Sequence, residues 1–148
     1  MVASDARGLM VPAQQSVLAS ASVVTTARCM QSLGVSSLPI CGADNEFLGM
    51  VFERDIVQRC VAEAIDPREM AVWRVLNLPQ KSVAADQPAD WTLLRMIMEQ
   101  PCGMLPVVDH GVLVGMITLA GIAAYLVEDE DIESGPGQMW WPGGGVGG

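Results

Sequence analysis

The sequence predicts an α/β fold made of two similar units, and an internal repeat together with alternating strand and helix patterns indicates it. Leu38-Pro39-Ile40 recurs as Leu105-Pro106-Val107. After a short polar turn, Phe47-Leu48-Gly49-Met50-Val51 recurs as Leu113-Val114-Gly115-Met116-Ile117. Neither copy is large enough to bury the apolar surface that a stable independent fold needs. We therefore expect two copies packed about an approximate twofold axis.

Each copy reads as strand, helix, strand, strand, helix. Ser22 is the expected N-cap of a helix through Leu33, and Asp90 is that of a helix over 91–100. The two strands and last helix that follow are predicted at 37–41, 47–52 and 53–64 in the first copy, and at 104–108, 112–118 and 119–127 in the second.

The links between these elements carry turn and helix-end residues. Gly34 and Gly103 stand where a helix must stop and a strand begin. Residues 42–46 and 109–111 have hairpin turn chemistry. Asp66-Pro67 separates the copies, and Arg68 to Leu76 is predicted to form a helix that leads into the second copy.

Composition narrows the function classes. The 148 residues are 51% hydrophobic but only 5% aromatic, which favours an aliphatic core. The formal charge of −9 and the absence of a basic stripe oppose binding to a phosphate backbone, so we expect no nucleic-acid partner. Residues 111–127 are uncharged, but their repeat counterpart, 47–63, carries several charges, so no membrane span is expected. We expect a cytoplasmic protein.

Cysteine and histidine usage gives little support to a metal site. The four cysteines lie far apart without a CxxC pair, and His110 is the single histidine. We expect reduced thiols that serve as small core side chains. After the acidic run that begins at Glu128, Ser134 to Gly148 is largely Gly and Pro around Trp140-Trp141, a composition that predicts a flexible tail.

At these residues the sequence resembles the CBS-domain family, as a tandem pair called a Bateman module. The first copy carries Val35-Ser36-Ser37-Leu38-Pro39-Ile40 and then 49–57, Gly-Met-Val-Phe-Glu-Arg-Asp-Ile-Val. The second carries Leu105-Pro106-Val107-Val108-Asp109 and Gly115-Met116-Ile117-Thr118. The chain is similar to small stand-alone actinobacterial CBS proteins of the hypoxic-response type. The resemblance places the domains at 6–65 and 68–127, with a tail at 128–148.

The resemblance implies an adenine-nucleotide site at the start of each copy's last helix. In the family, a Ser or Thr three residues after the Gly contacts phosphate or ribose, and an Asp three residues further accepts from the ribose hydroxyls. The first copy keeps Asp55 but has Phe52 for the hydroxyl residue, while the second keeps Thr118 but has Gly121 for the acid. Losing such a contact costs roughly 1.5 to 3 kcal/mol, or about ten- to a hundredfold in affinity. We expect weak binding.

The ligand-binding residues implied by the resemblance are Ser37, Leu38, Pro39, Arg54, Asp55, Met104, Leu105, Pro106 and Thr118. The ligand would be AMP, ADP, ATP or S-adenosylmethionine, with no required cofactor and no metal. Two alternatives from the residues alone stay open at this point. Asp55 is a ribose ligand or a solvated acid in a helix first turn, and Thr118 is a ligand or only an N-cap.

The function expected from these features is a non-enzymatic regulatory or sensory module. The family's habit of pairing implies a homodimer, and a target reached in trans is expected because the copies fill the chain. The other interpretation is a structural or protein-binding scaffold without a small-molecule ligand. Catalysis is not expected, because the sequence has no nucleophile elbow, no Walker-type phosphate loop and no second histidine.

Overall fold

The computed structural model describes residues 5–13, 15–76, 81–100 and 102–128. The elements in chain order are α1 (Ala6–Leu9), β1 (Val11–Pro12), β2 (Val17–Leu18), α2 (Val23–Leu33), β3 (Ser37–Cys41), β4 (Phe47–Phe52), α3 (Glu53–Ile56), a π-helical segment (Val57–Val61), a 3₁₀ helix (Val72–Val75), β5 (Val83–Ala84), α4 (Trp91–Met98), β6 (Met104–Asp109), β7 (Val112–Thr118) and α5 (Leu119–Glu128). The predicted tail beyond Glu128 lies outside the described residues.

The elements group into two compact units. One comprises the described parts of 1–11, 83–107 and 115–148, and the other comprises those of 12–82 and 108–114. The strands form one sheet in the order β2-β3-β4 and another in the order β1-β7-β6-β5. The predicted order of strand, helix, strand, strand, helix is therefore present in both copies.

The helices are held by the predicted caps and by apolar side chains at helical spacing. The Ser22 hydroxyl accepts from the Thr25 N–H, and the Asp90 carboxylate accepts from the Thr92 and Leu93 N–H groups. The buried side chains lie three or four residues apart, namely Val23, Thr26 and Met30 on α2, Leu93 and Ile97 on α4, and Ile122 and Leu126 on α5. Local sequence thus specifies these helices.

Helix α4 ends two residues before the predicted Gln100. The N–H of Gln100 donates to the Ile97 carbonyl, three residues back, which tightens the last turn. Gly103 then adopts a φ of +67°, as Gly34 does at +69° after α2. The predicted role of both glycines as helix ends is confirmed, because this left-handed conformation is one that residues with a Cβ rarely adopt.

The helix predicted over 53–64 changes type after one turn. The Ala62 N–H donates to the Val57 carbonyl, five residues back, so residues 57–61 are π-helical. The segment closes at Ala64, which has a φ of +57°, and the Ile65 N–H then donates to the Cys60 carbonyl. The apolar pattern predicted the helix but not its wider winding.

The helix predicted over 68–76 is wrong in length, since only Val72–Val75 forms a 3₁₀ helix. Its first N–H groups are used elsewhere. The Val72 N–H donates to the Ala21 carbonyl at 2.7 Å, and the Trp73 N–H donates to the Ala19 carbonyl at 3.2 Å. These tertiary bonds fix the start of the segment and replace a longer helix.

The same pair of bonds occurs 66 residues earlier at the beginning of the chain. The Ala6 N–H donates to the Gln87 carbonyl at 2.8 Å, and the Arg7 N–H donates to the Ala85 carbonyl at 2.9 Å. Isolated bridges join Asp5 to Pro88 and Ser22 to Ala71. The segment that leads into each copy is therefore held by bonds to the loop before a helix of the other copy.

The unit that contains 12–82 has a well-defined apolar core. Strand β3 is buried along its whole length, between β2 on one side and the antiparallel β4 on the other. The buried cluster is Val17, Val23, Met30, Leu38, Ile40, Val51, Cys60, Met70, Val72, Val75 and Leu76. Strand β7 of the other sheet alternates between buried and more exposed residues, as a half-buried strand should.

Candidate functional site

In the first copy, the strand register brings the predicted site residues beside the start of α3. The antiparallel pairing sets Ser37 opposite Phe52, Leu38 opposite Val51 and Pro39 opposite Met50. Ser37, Leu38 and Pro39 are all buried, and Leu38 belongs to the core cluster. Leu38 therefore contributes to packing, while Ser37 lies next to the junction of β4 and α3.

Asp55 lies at this junction and is only 3% exposed. Its Oδ2 accepts a hydrogen bond from the Phe52 N–H at 2.9 Å. This bond satisfies one donor at the start of α3, as the acid of a capping box does. The alternative of a solvated acid is wrong, because the packed junction of β4 and α3 removes this side chain from water.

Phe52, Glu53 and Arg54 form the rest of the junction. Phe52 is half-buried, and the Arg54 guanidinium carbon lies 5.8 Å from the centre of its ring. Glu53 is exposed, and its N–H donates to the Ser36 carbonyl at 3.0 Å. Phe52 therefore places an aromatic ring where the family pattern has a hydroxyl residue. Glu53, the next residue, adds an exposed carboxylate.

In the second copy, Thr118 ends β7 and caps α5. Its Oγ1 accepts a hydrogen bond from the Gly121 N–H at 3.0 Å. On the neighbouring strand β6, Leu105 and Pro106 are buried and Met104 is half-buried. The Leu119 N–H donates to the Gly103 carbonyl at 2.8 Å, which repeats the bond from Glu53 to Ser36 in the first copy.

The two family groups that remain are thus the two halves of one capping box. In a complete box, the N-cap hydroxyl accepts from the third helical N–H, and the third helical acid accepts from the N-cap N–H. The first copy keeps only the acid half, through Asp55 and Phe52. The second copy keeps only the hydroxyl half, through Thr118 and Gly121. The sequence analysis gave Thr118 as a possible N-cap but missed the capping role of Asp55, because the ligand pattern and the capping pattern share the same spacing.

The structure also has an open cleft of about 550 Å³ between the end of α2 and the start of α3. Its walls contain none of the nine predicted site residues. They are Ala27, Met30, Gln31, Gly34, Val35, Ser36, Glu53, Ile56 and Val57. The cleft borders the first-copy junction through Ser36 and Glu53 but is largely a feature of the helical surface.

The cysteines are free, and two of them are buried thiols. Burial raises the pKa of Cys41 above its usual value, against a smaller lowering by a hydrogen bond with Ser16. Burial also raises the pKa of Cys60, whose thiol donates to the Ile65 carbonyl. Among the described residues, no three His, Cys, Asp or Glu side chains come together as metal ligands would.

The repeat, the equivalent bonds at the two helix starts and the strand order have a direct counterpart among known families. The model of the CBS domain matches residues 6–62 and 77–128. The chain belongs to the CBS-domain family. The predicted fold class, two CBS units of α/β architecture, is confirmed.

Similar proteins agree with this assignment. Hypoxic response protein 1 of Mycobacterium tuberculosis is 30% identical over 107 residues, which is 72% of this chain and 74% of that protein. The crystal structure of Hypoxic Response Protein I with two coordinated zinc ions is 29% identical, with a TM-score of 0.72, and the match covers 82% of this chain and 98% of that one. The predicted similarity to CBS proteins of the hypoxic-response type is confirmed.

A solved structure at lower identity shares the fold. The crystal structure of CBSX2 in complex with AMP is 20% identical, with a TM-score of 0.68, over 85% of this chain and 98% of that one. At this identity the likeness is one of fold alone. Among the described residues, no helix is both long and apolar enough to cross a lipid bilayer.

Proposed function

We propose that this chain is a non-enzymatic regulatory module that binds an adenine nucleoside or nucleotide weakly and acts, as a homodimer, on a separate protein. CBS proteins are generally regulatory modules. The single observation that supports the ligand is Asp55, a buried carboxylate bonded to the N–H of Phe52, which lies opposite Ser37 in the sheet. A carboxylate so placed can accept from both hydroxyls of a ribose.

Support for an adenine ligand comes from the family and from a structural neighbour. CBSX2, which shares this fold, was crystallised with AMP. Thr118 in the second copy has a hydroxyl proton left to donate, since its oxygen accepts from the Gly121 N–H. Because each copy has only one of the two family groups, we expect dissociation constants near the millimolar range, for AMP, ADP, ATP or S-adenosylmethionine.

Isothermal titration calorimetry and thermal shift with these four compounds test the proposal. Asp55→Asn and Thr118→Ala should each remove part of the stabilisation by ligand. Asp90→Asn is the matched control, because Asp90 also caps a helix through its carboxylate but lies outside both junctions. Loss of the ligand effect in Asp90→Asn to the same extent would contradict a binding role for Asp55.

A protein-binding scaffold is the second candidate, and the split capping box favours it. Both remaining family groups already bond to the backbone, so a structural role accounts for them without any ligand. If none of the four compounds at millimolar concentration shifts the melting temperature, the scaffold is the better description. A pull-down with the wild-type chain as bait would then identify its partner.

The homodimer is supported by apolar side chains that the helices expose. Val57 and Val61 are 56% and 63% exposed beside α3, and Val127 at the end of α5 is 83% exposed. Contiguous exposed apolar patches mark protein–protein contacts, and Val57 and Val61 lie four residues apart on one helical segment. Light scattering should give the mass of a dimer, and Val61→Glu or Val127→Glu should lower it. A monomeric wild type would overturn this part of the proposal.

A cytoplasmic location also stays a prediction. The four cysteines are free in the structure, which fits a reducing compartment. Fractionation of the native host, with antibody detection, would test the location directly.

A further inference from the structure

We propose that the first-copy site selects an adenine nucleoside over its phosphorylated forms. This inference rests on the proposed function, in which Asp55 holds the ribose. It concerns the residues around that carboxylate, whose free donors, charge and polarity do not suit a phosphate group. Adenosine, or a nucleoside whose 5′ substituent is uncharged, is the ligand class that the junction fits.

The first reason is that two of the backbone N–H groups at the start of α3 are already bonded within the fold. A phosphate is held by N–H and O–H donors, and by charged donors most strongly. The Phe52 N–H is already bonded to the Asp55 carboxylate at 2.9 Å, and the Glu53 N–H to the Ser36 carbonyl at 3.0 Å. The Phe52 side chain has no donor at all. A phosphate could use these two N–H groups only by displacing bonds that the fold itself uses.

The second reason is charge. Glu53 and Asp55 bring two carboxylates to the junction, while Arg54 brings one guanidinium. Arg54 is held over the Phe52 ring, 5.8 Å from its centre, where the ring face attracts it. The local sum is therefore one negative charge, which opposes a phosphate dianion and leaves a neutral nucleoside unaffected.

The third reason is that the Phe52 side chain offers apolar surface to the 5′ end of a nucleoside that has no phosphate. The ring is half-buried opposite Ser37, where the family pattern has a hydroxyl residue. Apolar contact suits an uncharged 5′ group such as a hydroxymethyl or a thioether. The second copy differs in its side chains, because Thr118 carries a hydroxyl and the first turn of α5 has no acidic residue.

Calorimetric titration of adenosine and AMP into the Thr118→Ala variant tests the selectivity, since this background weakens the second copy's site. Adenosine should bind at least about tenfold more tightly than AMP. Phe52→Ser should raise AMP affinity about tenfold, because it restores a hydroxyl donor. Glu53→Gln should reduce the preference for adenosine over AMP. The matched control Glu69→Gln removes an exposed charge outside the junction and should leave that preference unchanged.

The outcomes separate the inference from the proposed function. If AMP binds as tightly as adenosine and Asp55→Asn removes the binding of both, the ribose site stands but the selectivity is refuted. If neither compound binds to Thr118→Ala, the ribose-binding role of Asp55 in the proposed function fails and the inference fails with it. Circular dichroism checks that Phe52→Ser is folded, and the surface variant Glu53→Gln tests the charge argument independently of that result.

Discussion

Gly115 is the position where a single added methyl group should most clearly disturb the fold. A Cβ built on this residue would lie 2.6 Å from the Val11 carbonyl oxygen and 2.5 Å from the Met10 Sδ. Met10 can change rotamer, but the Val11 oxygen is backbone, and β1 lies directly beside β7 in the sheet. Gly115→Ala must therefore push β1 away from β7.

Inserting a methyl group into a packed site costs about 1–3 kcal/mol. For a chain of this length that corresponds to a melting temperature lowered by roughly 2–12 °C. The assay is thermal unfolding by circular dichroism at one fixed protein concentration, so that self-association does not shift the comparison.

Gly42→Ala is the matched control for this prediction. The added Cβ there would meet the carboxylate of Glu46, the end of a flexible side chain that can move aside. We expect a change within about 0.5 kcal/mol. Equal melting temperatures for Gly115→Ala and the wild type would refute the reasoning. They would show that the backbone at Met10 and Val11 does not lie within contact distance of residue 115.

The remaining predictions concern caps, backbone strain and thiol reactivity. Thr118→Ala should lower the free energy of unfolding by about 1 kcal/mol in urea titration without any ligand, while Thr118→Ser should keep it, because only the hydroxyl that accepts from Gly121 matters. Ala64→Gly should raise stability by up to about 1 kcal/mol, since Ala64 has a φ of +57°, and an unchanged or lower value would count against strain there. In native protein near neutral pH, iodoacetamide should label exposed Cys102 first. Cys41 and Cys60 should react only on unfolding, because burial raises the pKa of both thiols, and early labelling of Cys60 by mass spectrometry would contradict this.

Much of the fold could be predicted because its signals are local. Ser22 and Asp90 cap helices through their own side chains, and Gly34 and Gly103 end helices through their own backbone conformation. The helix predicted over 68–76 failed for the opposite reason. The N–H groups of Val72 and Trp73 bond to residues about 50 positions earlier, and a local pattern cannot anticipate such bonds.

The sequence predicted where Asp55 and Thr118 lie along the chain, at the start of a helix, but not which groups they contact. The positions of Asp55 and Thr118 follow from the repeat and from the family pattern. The burial of Asp55 and its bond to the Phe52 N–H depend on how β3, β4 and α3 pack. The sequence could not decide between a ligand and a cap, because a Thr or Asp at those spacings suits both.

The sequence by itself determined the duplication and the order of helices and strands. Apolar periodicity, helix caps and glycines that end helices each depend on only a few neighbouring residues. What only the tertiary structure decided is which backbone groups meet across long separations. The lead-in at Ala6 bonds near residue 87 and the lead-in at Val72 bonds near residue 21. The physical reason is that every residue except proline carries the same backbone N–H group, so the sequence does not mark the carbonyl to which it will bond. Packing alone decides that partner.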